Sequence, residues 1–177
     1  MKHFLFTFSL SLIITFSIQA QEFKSLDKSP MDMIEFPIGN SDTNKSLRVL
    51  YSRPQLNGRD LNKLVPMNKL WRTGANESTE VTFYRSMKFG DKSIPVGSYT
   101  LYTIPGEKQW IVILNSATHV WGSYNYKEEN DIARISVPVS EGKKSLEALS
   151  MAFEKVNNGI HLHIGWGNLR LAIPFTK

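Results

Sequence analysis

The sequence contains no cysteine, and that single absence excludes disulfides, thiolate nucleophiles, zinc–thiolate sites and a thiol-linked lipid anchor. Stability must come from an ordinary apolar core. Long apolar runs are lacking as well. Beyond the N-terminus no stretch approaches the roughly 20 residues that a membrane-spanning helix needs. No glycine-rich phosphate loop occurs, which argues against a nucleotide enzyme. No Gly-x-Ser-x-Gly elbow is present to raise a serine nucleophile. A concentrated basic surface is missing too: the 21 Lys and Arg are scattered among 16 Asp and Glu, whereas a nucleic-acid footprint is a clustered patch or stripe. No nucleic-acid partner is expected. The formal net charge of +5 leaves anionic ligands open.

The N-terminus supplies what the rest of the chain lacks. Lys2 and His3 precede an apolar run from Phe4 to Ile18, followed by Gln19-Ala20-Gln21, the pattern of a secretory signal peptide cleaved after Ala20. The expectation is a protein released to the periplasm or the medium. It is not expected to be a lipoprotein, because no cysteine follows the cleavage point. Without residues 1–20 the chain keeps a length at which one domain buries roughly 70% of its unfolded surface.

Residues 21–45 are polar, with Pro30, Pro37 and the turn-prone run Gly39-Asn40-Ser41-Asp42, and read as a leader ahead of a single domain spanning 46–177. The first clear strand is Leu47 to Ser52, where Leu47, Val49 and Tyr51 alternate with Arg48, Leu50 and Ser52. A long loop follows from Pro54 to Glu77, with a helical turn around Asp60 to Leu64; loops of that length are usually functional or carry structure of their own. Short β-rich runs then recur over 80–85, 98–104, 109–115 and 132–137, punctuated by Gly90-Asp91, Pro95-Val96-Gly97 and Pro105-Gly106. Such spacing predicts an all-β single-domain sandwich, jelly-roll-like, with the 54–77 loop over one end or face. Segment 145–156 fits a strand through Leu149, Met151 and Phe153 or a helix through Leu146, Leu149 and Phe153, and the strand is favoured because Asn157-Asn158-Gly159 supplies a hairpin turn. A second hairpin is expected at Gly167-Asn168, because Ile160, Leu162, Ile164 and Trp166 share one face and Leu169, Leu171, Ile173 and Phe175 another.

Several strings, Tyr51-Ser52-Arg53-Pro54, Gly58-Arg59, Leu64-Val65-Pro66, Trp71 to Glu77, Ile104-Pro105-Gly106-Glu107 and Trp121-Gly122, together resemble the secreted bacterial domain-of-unknown-function family 2911. The segment Trp71-Arg72-Thr73-Gly74-Ala75-Asn76-Glu77 is the most specific of them. The resemblance runs from about Val49 to Phe175 and implies export and a mainly β domain, with no mechanism attached. His161 and His163 stand where the family pattern is apolar ahead of the Trp.

Candidate chemistry gathers in three places. Arg72, Asn76 and Glu77 flank Gly74-Ala75; Arg presents a planar fork to carboxylate or phosphate, Asn both donates and accepts, and Glu can act as a base. Arg53 and Arg59 flank a turn of the same loop and would extend this into a convergent anion site. The competing view is that Arg72 and Glu77 bridge each other or neighbouring backbone carbonyls and lock the loop down. Trp110, Trp121 and Tyr124, with Tyr126, form an aromatic group suited to stacking on sugars or gripping a peptide, or to plugging the core. His161 and His163 lie two apart on a strand and share a face, weak candidates for a metal with His119 or a carboxylate. No metal or other cofactor is expected. A non-catalytic binding module for a small polar or anionic ligand is the leading reading. The alternatives are a carboxylate-dependent hydrolase, in which Glu77 works with Glu107 or Asp131, and a structural or protein-interaction domain.

Overall fold

A computed structural model describes residues 21–39 and 41–177. The expected signal peptide with its cleavage after Ala20, and Asn40 of the Gly39–Asp42 turn run, lie outside the described residues. Ten strands form among the described residues, numbered β1 (Met31–Phe36), β2 (Leu47–Ser52), β3 (Glu80–Phe83), β4 (Met87–Phe89), β5 (Lys92–Ile94), β6 (Gly97–Ile104), β7 (Gln109–Asn115), β8 (Asp131–Pro138), β9 (Ser140–Val156) and β10 (Gly159–Thr176). They make a six-stranded sheet in the order β1-β2-β3-β6-β7-β8 and a four-stranded sheet in the order β5-β4-β10-β9. The fold is the β-sandwich that the alternating sequence predicts. Its connectivity is simpler than a jelly roll: consecutive strands pair within the larger sheet, and only the β4–β5 hairpin interrupts them to join the other layer.

Period-2 alternation fills the space between the layers. Leu47, Val49 and Tyr51 of β2, Val81 and Phe83 of β3 and Val112 and Leu114 of β7 meet Leu149, Met151 and Phe153 of β9 and the buried residues of β10. Three tryptophans stitch the layers: Trp71 meets Trp110 edge-on at 5.9 Å and stacks on Trp166 at 6.2 Å with an interplanar angle of 11°. Each such pair contributes about 0.5–1.5 kcal/mol beyond area burial.

Two further expectations change. Residues 31–36, within the segment read as a polar leader, form edge strand β1, in register from Met31 opposite Ser52 to Phe36 opposite Leu47. The expected hairpin at Gly167-Asn168 is absent, because β10 continues through it to Thr176. Burial falls on Ile160, Leu162, Ile164 and Trp166 and then on Leu171, Ile173 and Phe175, so the inward face changes parity midway. Register shifts between Gly165 and Gly167 and between Gly167 and Leu169 make that change, with Gly167 at φ 54. A bulge and a turn break alternation in the same way, and both favour glycine. The hairpin at Asn157-Asn158 forms as expected, with Val156 opposite Gly159.

The 54–77 excursion has internal structure. Gln55 bridges Ala148 of β9, and the Leu56 N–H donates to the Glu147 carbonyl at 2.9 Å. A single 3-10 turn, Leu61–Lys63, is capped by the Asp60 side chain, which accepts from the Asn62 N–H. Val65 and Trp71 then bury, and Trp71 pairs with Thr103 of β6. The loop therefore crosses from one sheet to the other.

Candidate functional site

Trp71 fixes where the following residues can go. Its N–H donates to the Thr103 carbonyl at 2.7 Å and its carbonyl accepts from the Thr103 N–H at 3.0 Å. The chain then turns through Thr73 at φ 56 and Asn76 at φ 58. Left-handed backbone is tolerated by Asn but strained for a β-branched residue. Thr73 is held there by its hydroxyl against that of Thr103 at 3.0 Å, while the Thr79 hydroxyl donates to the Thr73 carbonyl at 2.9 Å.

A second loop zips onto the first. Ser78 N–H donates to the Val120 carbonyl, Gly122 N–H to the Asn76 carbonyl and the Ser78 hydroxyl to the Gly122 carbonyl at 2.6 Å, with Glu77 bridged to Trp121. His119 at φ 56 and Gly122 at φ 64 also adopt left-handed backbone. Gly122 is needed for space as well: a Cβ there would lie 2.6 Å from the Tyr124 ring and 3.5 Å from Arg72 Nη1. The arginine and the phenol thus flank this glycine. Strain of this kind concentrates at functional sites, and it supports a functional hypothesis for the two facing loops.

The loops bring together most of the expected cluster. Arg72 is half-buried, donating from Nε to the Gly74 carbonyl at 3.3 Å, and forms no ion pair with Glu77 among the described residues. Glu77 is exposed. Trp121 is 59% exposed and Tyr124 79% exposed. Asn76 Nδ2 donates to Asp27 at 3.0 Å; the Ser29 N–H and then this bond hold the Asp27 carboxyl below the usual range. The direct bridge between Arg72 and Glu77 does not form, whereas the tie from Arg72 to a neighbouring backbone carbonyl, the other form of the lock, does.

Three expected members belong elsewhere. Trp110 is 2% exposed and part of the core, because it alternates inward on β7. Arg53 faces β1 and β9: it donates from Nη1 to Asp32 at 3.0 Å, from Nε to the Leu149 carbonyl at 3.0 Å and from Nη2 to the Ser150 hydroxyl at 2.9 Å. Arg59 closes its own turn, donating to the Leu56 and Gln55 carbonyls. The convergent set of Arg53, Arg59 and Arg72 is therefore not assembled. Asp131 is engaged by Asn115, Tyr126 and Arg134, and Glu107 sits in the β6–β7 turn, so neither shares a cleft with Glu77.

Glu77 instead borders a cleft of about 300 Å³ on the outward face of the larger sheet, together with Arg48, Leu50, Glu80 and His119. Alternation explains the lining. With Leu47, Val49 and Tyr51 turned inward, Arg48 and Leu50 turn outward, and Glu80 lies opposite Leu50 in the β2–β3 register. Glu80 accepts from the His119 N–H at 3.3 Å and lies 3.5 Å from its Nδ1. The Arg48 side chain has neither hydrogen bond nor ion pair among the described residues, and its Nε is shut off from water. A buried unsatisfied donor costs about 1–3 kcal/mol. Sequence reasoning misses Arg48 and Glu80: each looks like the ordinary outward charge of an alternating strand, and only strand pairing brings them beside Glu77.

No curated protein and no solved structure matches the chain. The family described as a protein of unknown function, DUF2911, matches residues 29–175. The match begins ahead of β1 and so takes in the edge strand as well as everything after it. It covers nearly all of the described sandwich, and the chain belongs to the DUF2911 family.

Proposed function

We propose that the chain, exported through its N-terminal signal and working as residues 21–177, is a non-catalytic binding module for a small polar ligand. The ligand would sit where Glu77 joins the Arg48–Glu80–His119 cleft to the ledge of Arg72, Trp121 and Tyr124. The observation that carries this reading is Arg48, whose guanidinium has no partner among the described residues and lines a cleft that also holds carboxylates. A planar fork of donors favours a carboxylate or phosphate on the ligand. Glu77 and Glu80 disfavour a purely anionic ligand and favour one that also carries a cation or several hydroxyls. Trp121 and Tyr124 supply faces for its apolar part.

A thermal-shift screen of residues 21–177 against amino acids, organic acids, phosphates, sugars and short peptides tests this. Ligand at a hundred times its dissociation constant contributes about 2.7 kcal/mol, a rise in the midpoint of roughly 5–10 °C for a domain of this size. The rise should vanish in Arg48→Met and shrink in Glu77→Gln. No rise with any class, or a rise that persists in Arg48→Met, defeats the proposal. Glu77 and Glu80 sharing one cleft is the observation that favours the hydrolase alternative, and turnover of a bound sugar or peptide in the same screen would select it.

A further inference from the structure

We propose a second site, for a borderline divalent cation such as Zn2+, on the outward face of the β9–β10 hairpin, formed by His161, His163 and Glu154. From sequence two histidines make a weak pair. Tertiary pairing supplies the third ligand: Glu154 of β9 lies directly opposite His161 of β10, and His163 opposite Ala152. Leu162 between the histidines is fully buried, which pins both imidazoles to the outer face.

The three residues each offer a ligand atom within 4.8 Å of the others. His163 Nε2 already lies 2.7 Å from Glu154 Oε2, and the two imidazole rings are 6.1 Å apart between centroids. Zinc bonds of about 2.0–2.2 Å place tetrahedral ligands roughly 3.4 Å from one another, so small side-chain rotations close the set. Two imidazoles and a carboxylate are a donor set for zinc or copper. Calcium and magnesium prefer all-oxygen shells. Three protein ligands leave a position for water or an exogenous group, and the half-exposed His163 and exposed Glu154 leave that position open to solvent. An ion here would join the last two strands across their pairing and lie on the opposite sheet from the Arg48 cleft.

Tag-free residues 21–177, stripped with chelator, would be titrated with Zn2+ by calorimetry. One ion per chain is expected. Removing a ligand should weaken binding at least as much as removing an outer-shell partner, about tenfold or more, in each of His161→Ala, His163→Ala and Glu154→Gln, whereas His119→Ala should bind as the parent does. These positions face solvent, and equal melting midpoints in chelator would establish that the variants fold. Absence of binding in the parent, or unchanged affinity in the His161→Ala/His163→Ala double variant, overturns the site.

Discussion

Arg48 lies within β2 and Arg53 just beyond its end, yet the two arginines do opposite things. Arg53 reaches across the edge of the sandwich to Asp32, the Leu149 carbonyl and the Ser150 hydroxyl, tying the start of the long loop to β1 and β9. Arg48 has no such partner among the described residues and lines a cleft. The same division separates the two halves of the loop. Its first half is fastened along β9, with the Arg59 guanidinium folded back on its own carbonyls. Its second half is fastened through the Trp71 ring and backbone, which leaves Arg72 and Glu77 at the surface. An arginine surrounded by carbonyl and carboxylate acceptors is structural. One held on a sheet face without a hydrogen bond to such acceptors is available to a ligand.

The largest effect should come from the anchor of the second half. Trp71→Ala removes both aromatic pairs and opens a cavity, with an expected loss of about 3–5 kcal/mol and a midpoint lower by roughly 10 °C, read by thermal denaturation. Retention of the ligand response in that variant would break the claimed dependence of the open half on its anchor. The two arginines separate next. Arg53→Ala should lower stability by about 1–2 kcal/mol, since three hydrogen bonds go but the Asp32 ion pair is partly solvent-screened. Arg48→Met should be neutral or slightly stabilising because no partner is orphaned. Denaturant midpoints compare them, and an equal loss in both would dissolve the distinction.

The narrowest effect is confined to high pH, where the far end of the Trp121 loop is fastened by Tyr126. Burial first, and then its hydrogen bond to Asp131 at 2.6 Å, push the Tyr126 phenol up to about 12. A raised phenol favours folding while it is protonated. That contribution is complete below the ordinary tyrosine value of about 10 and is lost as pH climbs to about 12. Tyr126→Phe should therefore reduce the fall in stability between those values, measured as the difference in melting midpoint from the parent. A parallel fall in the two proteins would show that this contact does not fasten the loop.

Much of the framework was legible from local pattern. The alternation over β2, the β-rich runs that become β6, β7 and β8, the strand reading of 145–156, the Asn157-Asn158 turn and the helical turn after Asp60 all rest on neighbours in sequence. Edge strand β1 was missed because its Met31, Asp32, Met33 and Glu35 mix polar and apolar residues, as an edge exposed on one side allows. The Gly167 bulge passed for a turn because both break the period. Of the expected site, Arg72, Asn76, Glu77, Trp121 and Tyr124 do gather, since Trp71 and the facing loop are close to them in chain or in pairing. Trp110 does not, because a tryptophan on an alternating strand is drawn inward by the area it buries.

Local pattern along the chain settles the all-β class, the positions of most turns and which side chains can carry charge to a surface. These depend on period, on backbone freedom at glycine, proline and asparagine, and on the absence of cysteine. Tertiary structure decided which of those charges meet. Arg48 joins Glu77 and Glu80 only through the β2–β3 register and the 116–124 loop, and Glu154 joins His161 and His163 only through the β9–β10 register. Strand pairing sets such neighbours by backbone hydrogen bonds between segments distant in the chain, and the alternation within any one strand does not record its partner.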